Sequence, residues 1–381
     1  DANWTIDEAQ LDDRHIVRRM VLKRCVYGVD KNPMAVELGK VALWLHTFTV
    51  GAPLSFIDHH LRAGDSLFGL WVRDAIDKAA AQGGELLHIG PLREAEASAA
   101  AMQIIERLTD AEIAEAHQSA STWYGVQQQI APLDSFVSFL HALDWLNLKQ
   151  PVEKAVVRAW LDGQYGDPIL IMLGKIEPIS RKRVAAQPGS VDRMNKQRFD
   201  ADELFEHLHR IIAHARALIA EERFLNWQIA FPGVWEKWGS KDRVGGFDAV
   251  VGNPPWDRIK LQQVEWFSAR RPEIAAKPRA ADRKELVEKL VGSADPLAEE
   301  FKLAEQRAND TLRMARFSSG KSTKDQETGK KIPAPSDHYP LLSGGDINLY
   351  SLFVERDHPL VKSSGMVGLL VPIGIGADKT S

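Results

Sequence analysis

The segment Gly246-Phe247-Asp248-Ala249-Val250-Val251-Gly252-Asn253-Pro254-Pro255-Trp256 constrains the fold of this chain more than any other. Phe247 to Val251 is a short apolar, β-rich run bounded by glycines, the pattern of a buried parallel strand. Gly252 and the two prolines end it. Pro254 has no N–H to give a ladder and disfavours helical backbone at Asn253, so the chain leaves the sheet extended at the strand's carboxyl end. Open α/β sheets gather ligands along that edge, which makes Asn253-Pro254-Pro255-Trp256 the first candidate site.

The residue types there suit a planar amine. The exocyclic amine of a nucleobase is a poor nucleophile because its lone pair is delocalised into the ring. Two carbonyl acceptors, the Asn253 side chain and the Pro254 backbone, suit its two N–H bonds and favour the tetrahedral nitrogen that develops during attack. Proline fixes its own φ, so the acceptors stay aimed. Trp256 offers a ring face for a base rotated out of its duplex.

Asn253-Pro254-Pro255-Trp256 after an apolar strand resembles motif IV of the amino-directed, S-adenosylmethionine-dependent DNA methyltransferases. Three further stretches look like the methylase domain of type IIG restriction-modification enzymes and of phage-defence methylases such as those of DISARM systems. They are Tyr27-Gly28-Val29-Asp30-Lys31-Asn32-Pro33-Met34-Ala35-Val36-Glu37-Leu38, Gly64-Asp65-Ser66-Leu67 and Asp346-Ile347-Asn348-Leu349-Tyr350-Ser351-Leu352-Phe353-Val354-Glu355-Arg356. Each motif is weak alone; four in the right order are specific.

The resemblance implies an α/β fold, a partial class I methyltransferase with a Rossmann-like doubly wound sheet and a large, mainly helical insertion. Residues 1–70 would be the first, cofactor-side part of the core, 71–245 the insertion and 246–381 the second part of the core. It gives Asp30 the ribose hydroxyls of S-adenosylmethionine, puts Asn32 and Pro33 beside the adenine, and gives Asp65, with Ser66 next to it, the adenine amino group. Read alone, Asp30 is a helix-capping Asp and Gly-Asp-Ser is turn chemistry. The implied reaction is direct methyl transfer to N6 of an adenine flipped from double-stranded DNA, with Asn253, Pro254, Pro255 and Trp256 as the catalytic set. Restriction or defence-system subunits are implied partners. Rival readings are N4-cytosine, RNA-base or protein-glutamine methylation and, outside the enzymes, a non-catalytic DNA-binding scaffold.

Composition sets limits. The 381 residues, 44% hydrophobic and 26% charged, suffice for one large or two medium cores, and the net charge of −4 neither supports nor excludes DNA binding. The single cysteine, Cys25, rules out a disulfide framework or a multi-cysteine zinc site and fits a reducing, cytoplasmic setting. It is read as a buried structural thiol at the start of a strand running from Cys25 to Val29. A cytosine-C5 enzyme would instead need a nucleophilic cysteine in its catalytic loop. No apolar run approaches a membrane span, so no membrane partner is expected. The chain lacks an initiating Met and the glycine-rich first motif, and the family's target-recognition domain is not in it, so a fragment inactive by itself is expected.

Several local expectations complete the reading. A helix opens at Pro33 with Val36, Val41, Leu43, Trp44 and Leu45 on its apolar side, and a strand spans His60 to Ala63. Asp58-His59-His60 reads as a loop rather than a metal set, because adjacent histidines face opposite ways on an extended chain. The insertion reads as helical over 93–117, 133–148 and 152–161. Its clearest helix starts at Asp200, with Glu203 in capping-box position and Leu204, Leu208, Ile211, Ile212, Ala215, Leu218 and Ile219 on one face. On that helix His207, His209 and His214 are structural, only His207 and His214 sharing a face. The basic cluster Arg181-Lys182-Arg183 is a DNA-facing or simply solvated loop. Arg270, Arg271, Lys277, Arg279, Arg283 and Lys284 either position phosphates or lie on solvated helices. Gly320-Lys321-Ser322 is no ATP site, since Ala315 stands where a phosphate loop needs glycine. An amphipathic helix within 347–362 ends near Pro359, before a buried strand over 368–371.

Overall fold

Two parallel strand pairs, each joined by helical crossovers, carry the α/β character of the chain. The computed structural model describes residues 13–48, 53–84, 87–110, 112–179, 201–318, 320, 322–324, 331–332, 334–342 and 347–376. It divides into two compact units, Asp1–Gly245 and Gly246–Ser381.

In the first unit, helix α1 (Asp13–Cys25) leads into β1 (Gly28–Asp30), α2 (Pro33–His46) and β2 (Leu61–Ala63). β1 and β2 pair in parallel, with Gly28 opposite Leu61, Val29 opposite Arg62 and Asp30 opposite Ala63. The sequence makes α2 start sharply: Asn32 accepts the Met34 N–H at 3.0 Å, and Pro33 occupies the first turn, where its missing N–H costs nothing. Lys40, buried on α2, pairs with Glu37 at 2.7 Å and with Asp58 at 2.8 Å, which ties the helix to the turn before β2.

The helical segment follows: α3 (Val72–Ala81), α4 (Ile89–Arg107), α5 (Ile113–Leu146), α6 (Pro151–Leu161), α7 (Pro168–Met172), α8 (Ala201–Glu222) and α9 (Trp227–Ala230). The short strands β3 (Trp235–Glu236) and β4 (Val244–Gly245) then pair antiparallel. α5, which runs through Pro132, is the central pillar and packs against α3, α4, α7, α8 and α9. Its buried side chains Trp123, Ile130, Leu133, Phe136 and Leu140 share the core with Trp160 of α6 and with Leu204, Leu208, Ile211, Ile212 and Ala215 of α8. The α8 face is thus the one read from its spacing. Asp200 and the cluster Arg181-Lys182-Arg183 lie outside the described residues.

The second unit opens with β5 (Phe247–Gly252). The helices α10 (Gln263–Ser268), α11 (Pro272–Ala275), α12 (Ala280–Val291) and α13 (Pro296–Ala315) follow and enclose a small core of Phe267, Ile274, Val287 and Phe301. A two-residue antiparallel pair, β6 (Thr323–Lys324) with β7 (Lys331–Ile332), precedes α14 (Leu349–Asp357) and β8 (Val361–Leu369). β5 pairs in parallel with β8, and an irregularity between Phe247 and Ala249 accommodates the extra residues of β8.

Several expectations need correction. The described strands form four two-stranded sheets, not one doubly wound sheet. Cys25 ends α1 and is exposed, so it is neither strand nor buried thiol. β5 and β8 are parallel as read but largely unburied, with Val251 85% and Met366 74% exposed, because neither has a second strand neighbour among the described residues. On α2 only Val36 of the expected apolar side is buried, whereas Val41 and Leu45 are exposed. The five residues chosen do not share one face at helical spacing. The helix expected over 93–117 is interrupted between Arg107 and Ile113, and β8 begins at Val361, well before residue 368.

Candidate active site

The turn after β1 and the turn after β2 lie side by side, because parallel pairing puts the carboxyl ends of both strands at one edge. The Gly64 N–H donates to the Asp30 carbonyl at 2.9 Å and closes that edge. Asp30 Oδ1 accepts the Asn32 N–H at 2.7 Å, an Asx turn that fixes the carboxylate, and Oδ2 has no partner among the described residues. Asp30, Asn32 and Pro33 are exposed. Asp65 is buried, only 8% exposed, and its Oδ1 accepts the N–H groups of Leu67 at 2.9 Å and Phe68 at 3.3 Å. Ser66 is half-buried, its carbonyl accepting the Trp227 indole N–H at 3.1 Å. The five residues assigned to the cofactor are therefore neighbours.

Lys31, which the motif reading left without a role, bridges Asp65 Oδ2 at 2.9 Å and Glu222 Oε2 at 2.8 Å. Burial acts to lower its pKa, but the two carboxylates outweigh burial and hold it above the ordinary lysine value. Glu222 stands 191 residues from Lys31, a separation at which spacing carries no signal. Asp58-His59-His60 is a turn, as read, yet both rings are fully buried and face each other with centroids 4.0 Å apart.

In the second unit, Asn253-Pro254-Pro255-Trp256 leaves the carboxyl end of β5. Pro254 is buried, whereas Asn253, Pro255 and Trp256 are exposed. The Asn253 side chain has no hydrogen-bond partner among the described residues. Leu370 fixes this loop twice: its N–H donates to the Gly252 carbonyl at 3.0 Å, and its carbonyl accepts the Trp256 indole N–H at 3.1 Å. Trp256, 54% exposed, is thus held by one edge with ring surface open. Beyond it, Leu349 N–H donates to Asp257 O at 3.0 Å and Ile259 N–H to Ile347 O at 3.3 Å, so the stretch preceding α14 braces the loop. Asp346 of that stretch lies outside the described residues.

The model of the Eco57I restriction-modification methylase family matches residues 24–284, more than half of the chain, and takes in the turns of Asp30 and Asp65 and the stretch Asn253-Pro254-Pro255-Trp256. The chain belongs to the Eco57I restriction-modification methylase family. Comparison with curated proteins and with solved structures gives no match. Membership makes this a DNA methyltransferase of the restriction-modification kind. No described helix is long and apolar enough to cross a membrane.

In this Eco57I-family methylase the match also takes in the charged stretch after the loop. Arg271 is paired with Asp295 and Lys284 with Glu288 at 3.7 Å, while Arg283 donates to the Lys277 carbonyl at 2.7 Å and Arg270 lies over the Trp266 ring. These four are engaged within the unit, as solvated helices would have them. Lys321 of Gly320-Lys321-Ser322 lies outside the described residues.

Proposed function

We propose that the chain is the methylase part of an N6-adenine DNA methyltransferase of type IIG or phage-defence character, acting on a base rotated out of double-stranded DNA with S-adenosylmethionine as methyl donor. The observation that carries this reading is the loop after β5. It offers an unpartnered Asn253 side chain, a buried Pro254 beside it, and a Trp256 ring held at one edge by Leu370.

The donor set fits the proposed cofactor. Asp30, fixed by Asn32 and with one oxygen uncommitted, is an acceptor for a vicinal diol. Asp65 is an acceptor for an aromatic amino group, since each carboxylate oxygen has two lone pairs and the protein donors leave capacity. Asn32 and Pro33 complete that edge. S-adenosylmethionine, when bound, supplies an electrophilic methyl carbon.

The chain's own residues then act by positioning. Asn253 and the Pro254 carbonyl hold the two N–H bonds of the target amine and draw the nitrogen toward tetrahedral geometry, exposing its lone pair. Trp256 stacks on the base and fixes its plane, and Pro255 keeps the loop extended. No covalent attachment to the protein is needed, and exposed Cys25, on α1, takes no part.

The test is transfer of labelled methyl from S-adenosylmethionine to unmodified DNA by the full-length protein, with nucleoside analysis of the product, beside Asn253→Ala. The expected result is N6-methyladenine that is lost in the variant. Label in cytosine, RNA or protein would replace the substrate. Binding without transfer, with Asn253→Ala indistinguishable in the biological assay, would favour a scaffold.

A further inference from the structure

The end of the long helix α8 is stitched to the two turns of the candidate cofactor edge. Glu222 is its last residue, and its carboxylate reaches Lys31 Nζ at 2.8 Å. Arg223, in the left-handed region at φ 54°, turns the chain so that its carbonyl accepts the Asp65 N–H at 2.8 Å and its guanidinium donates to the Lys31 carbonyl at 3.2 Å. Lys31 Nζ also holds Asp65 Oδ2 at 2.9 Å. Two carboxylates from distant parts of the chain therefore share one ammonium group.

We propose that Lys31 is a positioning residue of the cofactor pocket, a cationic latch through which the end of α8 sets where the Asp65 carboxylate stands. The proposal rests on the cofactor reading of Asp30 and Asp65 given above. Two physical points support it. An anion at the carboxyl end of a helix sits at the unfavourable pole of the helix dipole, so Glu222 is retained there by a cation, and Lys31 is that cation. Without Lys31, Asp65 and Glu222 would face each other as like charges, and Asp65 Oδ2 would lose its bond to the ammonium group while Oδ1 stayed tied to Leu67 and Phe68. The carboxylate would then turn about an oxygen that backbone holds, moving the acceptor that meets the ligand.

The experiment is calorimetric titration of the full-length protein with S-adenosylhomocysteine, with ligand-free melting measured alongside. Lys31→Met is expected to weaken binding about tenfold and Glu222→Gln about threefold, the scale of charge-assisted hydrogen bonds acting through a neighbour. Lys31→Arg keeps both bonds and is expected to restore wild-type affinity, and Glu222→Gln should weaken binding no further in the Lys31→Met background, where it relieves the repulsion on Asp65. The ligand-free melting temperature should fall in Lys31→Met by only about 1–3 °C, the scale of a half-exposed ion pair, and return in Lys31→Arg. Wild-type affinity in Lys31→Met and Glu222→Gln, with Asp30→Ala having lost binding, would overturn the latch and leave the cofactor reading standing. Wild-type affinity in Asp30→Ala as well would overturn that reading itself. A lowered melting temperature with no rescue by arginine would make Lys31 merely structural and also overturn the latch. Should Lys31→Met fail to fold, Glu222→Gln decides: weaker binding supports the latch, unchanged binding removes it.

Discussion

Replacing Asp110 by asparagine removes one charge and almost no volume from a fully buried junction. The carboxylate is ion-paired with Lys23 of α1, accepts the Ser119 hydroxyl of α5 at 2.8 Å and the Phe56 N–H at 2.8 Å, and neither Asp110 nor Lys23 has exposed side-chain surface. Asparagine tolerates the left-handed backbone at φ 51°, but its single carbonyl oxygen replaces only one of the two carboxylate oxygens, so it can accept from Ser119 or from Phe56 and not from both. What remains is a buried ammonium group without its counterion, for which burial already lowers the pKa against the pull of Asp110. Removing one partner of a buried pair costs about 3–5 kcal/mol, and the loss of one acceptor along with the charge keeps Asp110→Asn within that range. Urea unfolding followed by tryptophan fluorescence reads this as a shift of the first unit's midpoint, Trp123 being buried in α5. Removing the stranded charge as well, in Asp110→Asn/Lys23→Met, should recover at least half of the loss. A cost below about 1 kcal/mol for the single variant, or a double variant whose cost equals the sum of the singles, would refute the reasoning.

Two further outcomes follow from the same kind of reading. Burial pushes the His59 and His60 pKa values down from 6.5 to about 2 and about 4; His60, Lys23 and Arg62 add to the effect at His59, and carbonyls of Leu22 and Val26 oppose it at His60. The folded form therefore binds these protons less readily than the unfolded chain. Stability from the pair is complete above pH 6.5 and lost as pH falls toward 4, by up to about 1.4 kcal/mol per pH unit per histidine, and urea midpoints unchanged across that window would contradict it. Gly246 has φ 116°, and a Cβ there would stand 2.8 Å from Lys362 N and 2.9 Å from Leu360 O, both backbone atoms of the β8 approach. Gly246→Ala is expected to lower stability by about 1–3 kcal/mol in thermal unfolding, whereas Gly368→Ala, with nothing within 4 Å, serves as the tolerated comparison. Equal melting of the two variants would remove the argument.

The candidate site was legible where chemistry is local. Asp30 with Asn32 and Pro33, Gly64 with Asp65, and Asn253 with Pro254 are short strings whose turn geometry follows from the residues themselves, and the parallel strands they terminate were legible with them. What depended on partners far along the chain was not. Lys31 carries no legible role inside its motif because Glu222 comes from the end of α8. His59 and His60 looked like loop residues because their burial is created by Tyr27, Phe56 and Trp123. Cys25 was misplaced because residues 25–29 are compatible with strand, while the helix before them owes its contacts to Asp110, which receives both Arg19 and Lys23. Burial of Val251 was inferred from apolarity, although burial depends on what covers a strand.

The helical segment that follows the turn after β2 is anchored at both of its ends in one place. It leaves from Leu70 to Val72 and returns at Arg223 to Gln228, and the two stretches are laced together: Leu225 N–H donates to Phe68 O at 2.9 Å, Leu70 N–H to Asn226 Oδ1 at 3.0 Å and Val72 N–H to Gln228 Oε1 at 3.0 Å. A segment whose departure and return are clasped in this way is topologically a loop on a closed collar. With the collar and the end of α8 keeping Asp65 in register with Asp30, changes of length in the loops between α3 and α8 would reach that edge only through the collar residues and through Glu222 and Arg223.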